Sequence, residues 1–284
     1  VKLNRILMLI SGALSALSTP GLASVQATPT VQQKLTLEQI TSIFENSTPD
    51  FVYDYLEDID DGAGVTAGRV GFNSSAGDLL GVVKDYLSVK PTTPKQPLSD
   101  YLSCLESLQG TGNYKCLYPD VEPTAMTTPV FKSQGLLTVD FGLAWVTAAK
   151  DPAMRQAQDH FVEVNYFQPA MDWANQLGLQ TALGDAMIYD TVIQMGILPE
   201  MTTKTQSQFA ATHQGRIQPS GRIEETEWLR LYQLIRKAKL SETPVGAATT
   251  SRVDALSQVL DSGNLDLTLP LSFTYCGGDF RLEK

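Results

Sequence analysis

Beyond Pro152 the chain is written almost throughout in helical periodicity, and only residues 62–72 break with it, through Gly62, Gly64, Gly68 and Gly71. Apolar side chains recur at three- and four-residue intervals over roughly 153–163, 169–195, 224–240 and 252–261. Each such run must bury one face against a neighbour. Closely spaced glycines do the opposite, since they permit tight turns and positive φ. Val65 to Phe72 is therefore predicted as a short strand or hairpin. The expected class is mainly α with a small β element. A chain of 284 residues, 43% of them hydrophobic, suffices for one large domain or two lobes around a core. The charged fraction of 18% is low, which argues against disorder.

Two helix starts are suggested upstream. Residues 28–35 read as a loose polar leader, and Thr36-Leu37-Glu38-Gln39 fits a capping box in which the Thr hydroxyl and the Gln side chain satisfy free amides. Leu37, Ile40, Ile43 and Phe44 follow at helical spacing, and Asn46-Ser47-Thr48-Pro49 ends the run. At 100° per residue Glu45 falls about 80° from Leu37, at the border of the apolar stripe. A carboxyl there is half desolvated, which favours its protonated form. Ser75 to Asp78 reads as a second capping box, opening a helix with Leu79, Val82, Val83, Tyr86 and Leu87 on one face. Residues 88–99 and 244–250 read as loops.

Residues 1–27 are expected to be a secretory signal, with Lys2 and Arg5, an apolar stretch from Ile6 to Leu17, and Val25-Gln26-Ala27 as cleavage site. That stretch is too short to span a bilayer. Residues 28–284 would form a single domain of two lobes, released outside the cell, with no membrane association after signal removal. The formal net charge is −10, and losing the leader makes it more negative. Such a surface repels nucleic acid and anionic lipid and attracts cationic partners. Of the three cysteines, Cys104 and Cys116 bracket a Gly-Thr-Gly-Asn turn and are the first pairing to expect. Three pairings remain open, with Cys276 left over in this one. None shows the paired spacing of a zinc site.

Nucleophilic triads find little support. The two histidines, His160 and His213, are read as surface residues, and there is no Gly-x-Ser-x-Gly, His-Glu-x-x-His or P-loop. Gly62-Ala63-Gly64-Val65-Thr66-Ala67 matches a dinucleotide fingerprint but follows a charged run rather than a buried strand. Asp58-Ile59-Asp60-Asp61-Gly62 is one residue short of a calcium loop, and Arg69 stands where a bidentate Glu is needed. Paired carboxylates survive this sorting. Glu45 ends a helix, and Asp61 lies in the run Glu57 to Gly64 with Thr66 five residues on. Glycosidic hydrolysis needs two acidic side chains, one protonated to donate and one ionised to activate water or attack. From spacing alone a helix-end charge and a turn residue are the simpler description.

Further residues change that balance. Phe44-Glu45-Asn46-Ser47, then Tyr55 to Phe72, then Gly77-Asp78-Leu79, resemble the chitosanases of glycoside hydrolase family 46. The likeness continues in order through Trp145 to Asp151, Gln156-Ala157-Gln158, Tyr166 to Ala170, Tyr189-Asp190, Arg236-Lys237, Ser251 to Asp254 and Gly263 to Leu267. It covers about residues 36–270, with 97–135 and 197–222 as variable loops. The resemblance implies an endo-acting, inverting hydrolase of chitosan, the cationic β-1,4-linked glucosamine polymer. Its fold would be two-lobed and lysozyme-like with a cleft between the lobes. It would be a monomer needing no cofactor or metal.

On the matching positions, Glu45 is the general acid and Asp61 the general base, with Thr66 holding the attacking water. Arg252, Asp190 and Arg236 form a supporting charge network beside Glu45. Asp78, Glu242, Asn46 and Gly71 bind substrate, Asp78 through a glucosamine amine. Three departures stand out: Ala63 replaces an arginine, Asp60 replaces a glycine, and the Glu45–Asp61 interval is about two residues short. A lysozyme-like hydrolase of chitin or peptidoglycan, or a non-catalytic exported polysaccharide-binding protein, are the alternative readings.

Overall fold

The computed structural model describes residues 29–58, 64–89, 96–110, 115–118 and 140–284. The expected signal and the 119–139 segment lie outside that set, as does Asp61. Helix α1 runs Val31–Asn46 and is followed by three short strands, β1 Leu56–Asp58, β2 Val65–Ala67 and β3 Phe72–Asn73. Then come α2 Asp78–Ser88, α3 Leu102–Ser107, α4 Asp140–Ala149 and α5 Pro152–Val162, which continues through one π-helical turn, Glu163–Phe167. The rest is α6 Gln168–Gln176, α7 Ala182–Met195, α8 Pro199–Thr212, α9 Arg222–Leu240, α10 Pro244–Ala247 and α11 Ser251–Asp261, closed by the hairpin β4 Leu271–Tyr275 and β5 Gly278–Leu282. The mainly helical class with a small β element is what the periodicity indicated. No helix among the described residues is long and apolar enough to cross a membrane.

Helix α7 is the centre of the molecule. Every residue from Ala182 to Gln194 is buried, and α1, α6 and α11 all pack against it. An element covered on all sides reads as continuously apolar rather than striped. Leu183, Met187, Ile188, Val192 and Ile193 each contribute about 1.5–3 kcal/mol through burial. Asp190 and Gln194 of α7 therefore need internal partners, which Arg236 of α9 and Arg252 of α11 supply.

Several helix boundaries differ from those expected. Helix α1 starts at Val31, with Thr30 as its cap and Gln33 completing the box, six residues upstream of Thr36. Thr36 is buried inside the helix, its hydroxyl donating to the Gln32 carbonyl. The sequence holds two boxes of the same form, and the earlier one wins because nothing between them breaks the helix. Its first turns are also anchored at a distance, through the Lys34–Glu163 ion pair and Lys34 Nζ lying 4.2 Å from the Phe167 ring centre. The box expected at Ser75–Asp78 does not form either. Gly77, at φ 89°, precedes α2 with no side-chain cap, while Asn73 Oδ1 gathers the Ser75 and Ala76 amides. The span expected as one helix over 169–195 is two, parted where Gly178 takes φ 74° and Thr181 caps α7.

The small sheet is antiparallel in the order β1-β2-β3, with Leu56 opposite Ala67, Asp58 opposite Val65 and Thr66 opposite both Glu57 and Asn73. Residues 64–67 enter a strand, not a helix, so the dinucleotide fingerprint lacks its structural context. Gly68 closes the β2–β3 turn at φ 72°, where an added Cβ would lie 2.5 Å from Gln158 Oε1 and 2.8 Å from the Phe72 ring. Cys104 and Cys116 are disulfide-bonded and Cys276 is a free, exposed thiol.

Candidate active site

Glu45 projects from the last turn of α1, where Ser47 takes a left-handed conformation and its amide caps the helix on the Ile43 carbonyl. The Glu45 side chain is only 3% exposed, and Arg252 Nη1 donates to its Oε1 at 3.1 Å. Arg252 stands one residue inside the N-terminus of α11. Its Nη2 and Nε both donate to the Asp190 carboxylate, the second at 3.2 Å. Arg236 Nη2 donates to Asp190 Oδ2, the oxygen that Arg252 Nε also reaches, at 2.6 Å and to Gln194 Oε1 at 2.6 Å. Four charges thus alternate in one buried line, Glu45, Arg252, Asp190 and Arg236, drawn from α1, α11, α7 and α9. Such a line is tolerable in a low-dielectric interior only because each charge meets its opposite. Burial alone would pull the Arg252 guanidinium down, but the Asp190 and Glu45 charges outweigh it and hold it well above its ordinary value.

The sheet is tied directly to this corner. Asn46 Nδ2 donates to the Arg69 carbonyl at 2.9 Å, so the residue after Glu45 grips the β2–β3 turn. The same turn is braced from behind. The buried Arg69 guanidinium pairs with Glu38 of α1 and Asp159 of α5 and lies 3.9 Å from the Phe51 ring centre. Its amide donates to Gln158 Oε1 at 3.1 Å. Gly71, at φ 66°, closes the turn by donating to the Gly68 carbonyl. Thr66 is buried at the middle of β2. Tyr55 leads into β1, its carbonyl accepting from Gly68 N at 2.8 Å and from Trp145 Nε1 at 3.1 Å. The Tyr55 phenol is pushed well above its usual range, first by burial, then by the hydrogen bond to Glu57, with Glu45 adding to it.

Of the ten positions singled out in the sequence, Glu45, Arg252, Asp190 and Arg236 are joined in one network, and Asn46, Gly71 and Thr66 lie on the elements bonded to it. Asp78 is buried at the start of α2, where Tyr166 Oη donates to its Oδ2 at 2.8 Å. Glu242 is exposed just past α9 and ion-paired with Lys239 at 2.7 Å. Asp61 lies outside the described residues, as do Asp60 and Ala63. The strand ends that bracket them, Asp58 and Val65, stand opposite each other in the sheet. His160 is exposed as expected, whereas His213 is largely covered, stacked 3.7 Å from the Phe209 ring and bonded to Glu227. No cluster able to hold a metal ion occurs among the described residues. Glu38, Arg69, Asp159, Gln194 and Tyr55 give no sign of these roles in the sequence, because each acts through a partner far away in the chain.

Comparison with known proteins decides the family. The sequence model of glycosyl hydrolase family 46 matches residues 39–132 and 130–271. The chain belongs to that family. It is 32% identical over 250 residues to a chitosanase of Bacillus subtilis (strain 168), covering 84% of this chain and 80% of the relative. It is 32% identical over 276 residues to a chitosanase of Streptomyces sp. (strain N174), covering 93% and 90%. Among solved structures, a family 46 chitosanase of Gynuella sunshinyii in complex with chitotetraose superposes at TM-score 0.72 with 32% identity, covering 90% of this chain and all of that one. Family 46 membership agrees with the helical class, and the charge line on Glu45 falls within the matched stretch.

Proposed function

We propose that this protein is a chitosanase, an endo-acting glycoside hydrolase that cuts β-1,4 glucosamine linkages with inversion. The observation that carries the reading is the Glu45–Arg252–Asp190–Arg236 line, in a chain similar over most of its length to chitosanases. Two influences oppose each other at Glu45. The dry setting favours the proton-bearing acid, and the adjacent guanidinium favours the carboxylate. A group held between them can release a proton to the glycosidic oxygen and recover it after product leaves.

Asp61 is assigned as the base, taking a proton from a water molecule held with Thr66. As the water oxygen bonds to the anomeric carbon, the carbon–oxygen bond to the leaving sugar breaks and Glu45 supplies the proton that sugar needs. Inversion follows from attack on the opposite face, with carboxyls about 6.5–9.5 Å apart. The sheet geometry supports this spacing. Glu45 adjoins the Tyr55 and Gly68 end of the β1–β2 pair, and Asp58 and Val65 pair at its other end. A three-residue strand spans about 10 Å, the same scale. Asp78, Asn46, Gly71 and Glu242 are assigned to substrate, the two carboxylates to ammonium groups. The cleft between two lobes, action as a monomer and export directed by residues 1–27 complete the reading.

The test is Glu45→Gln assayed on chitosan and on fully acetylated polymer. Release of reducing ends from chitosan should fall by about 10²–10⁴-fold, the usual worth of a general acid. The wild type should act poorly on the acetylated polymer and give α-anomers first. Undiminished turnover in the variant would remove Glu45 from the acid role.

A further inference from the structure

The C-terminal hairpin begins where the family match ends, at residue 271, and it reaches the shoulder of the assigned acid. Tyr275 Oη donates to the Phe44 carbonyl at 3.0 Å. That carbonyl belongs to the final turn of α1, whose acceptors run out of helical amides once Ser47 turns left-handed. The Tyr275 ring also packs on the Phe44 ring at 4.9 Å, with Phe273 edge-on to Phe44 at 5.8 Å and Phe280 behind both. The Arg252 guanidinium lies 5.3 Å from the Phe44 ring centre. Phe44 is therefore held between the hairpin and Arg252, and Glu45 is the next residue.

From this geometry we infer that Tyr275 is a positioning residue for the reaction. Its hydroxyl fixes the final turn of α1, and through Phe44 the hairpin sets the alignment of Glu45 with Arg252. The inference rests on the reading of Glu45 as the acid. The contact is long-range, its partners 231 positions apart in sequence, and it ties the C-terminal hairpin to the beginning of the site. Tyr275 acts on Glu45 through Phe44, and its phenol also lies within electrostatic reach of Arg252 and Glu45; its loss should slow the chemical step and leave substrate affinity alone.

The experiment compares Tyr275→Phe, which removes one hydroxyl, with Thr274→Val on the neighbouring position of the same strand. Thr274 Oγ1 donates to Asp279 at 2.9 Å, on the exposed side of the hairpin and away from Phe44. Its loss weakens the hairpin without touching α1. Tyr275→Phe should lower kcat on glucosamine oligomers about tenfold with KM unchanged, as a small misalignment of a catalytic group does. Thr274→Val should keep the wild-type kcat, both measured well below the Tm of each variant. Wild-type kcat in Tyr275→Phe, a rise in KM instead, or an equal loss of kcat in Thr274→Val each overturns the inference. Full turnover in Glu45→Gln would instead overturn the acid assignment on which it stands.

Discussion

Asp190 neutralises two buried arginines at once. Arg236 is fully buried, and its Nε and Nη1 have no hydrogen-bond partner among the described residues, so Asp190 and Gln194 are what hold it. Arg252 is nearly as dry and spends two of its donors on the same carboxylate. Asp190→Asn keeps the shape but leaves two buried cations facing a single anion, Glu45. Removing one partner of a buried pair costs about 3–5 kcal/mol. A lowered urea midpoint with an unchanged slope is the expected result. A variant as stable as the wild type would mean that the two arginines do not depend on the Asp190 charge.

At the scale of elements, the junction of α7 with α9 carries a pH-dependent weakness. Glu225 of α9 accepts from the Thr181 and Gln180 amides and from the Thr181 hydroxyl, which is an ionised carboxylate's role at a helix start. Gly184 leaves room for it, since an added Cβ would sit 2.7 Å from Glu225 Oε1. Asp185 lies beside it, and burial followed by the Glu225 charge pushes its carboxyl up to about 7. Its ordinary value is 3.8, so between pH 4 and 7 the folded state binds a proton that the unfolded state has released. Stability from this group is complete below that window and is lost as pH rises through it. Asp185→Asn should therefore raise Tm at pH 8 more than at pH 4, flattening the profile. Parallel Tm curves for the two proteins would contradict this.

What the sequence made legible at this scale was local. The glycines at 64, 68 and 71 announced a hairpin because positive φ is a property of single residues. Glu45 announced itself at a helix end because Asn46 to Pro49 stops any helix. Tyr275 and Arg69 gave no such signal, since their meaning depends on Phe44, Glu38 and Asp159 and on how helices cross. Arg252, Asp190 and Arg236 became legible only through the family resemblance. The C-terminal strands and helix α8 went unseen because alternation over five residues, or a helix exposed on most sides, is a weak pattern.

For the whole molecule, the acidic balance bears on binding. A formal charge of −10 attracts a polycation before any specific contact forms. Salt shortens the reach of that attraction, with a screening length of about 10 Å at 0.1 M. KM for chitosan should rise severalfold between 50 mM and 500 mM salt while kcat holds, provided the polymer stays dissolved. An insensitive KM would mean that contacts deep in the site, not the general field, gather the substrate.

Helix α7, enclosed by its neighbours from Ala182 to Gln194, has one more consequence. Its backbone amides can meet deuterium only when the entire protein opens, so they should be the last to exchange. Asp190 travels with them. Loosening that spares α1 and the β4–β5 hairpin then leaves the charge line intact, and catalytic competence should persist in such molecules until the final cooperative collapse.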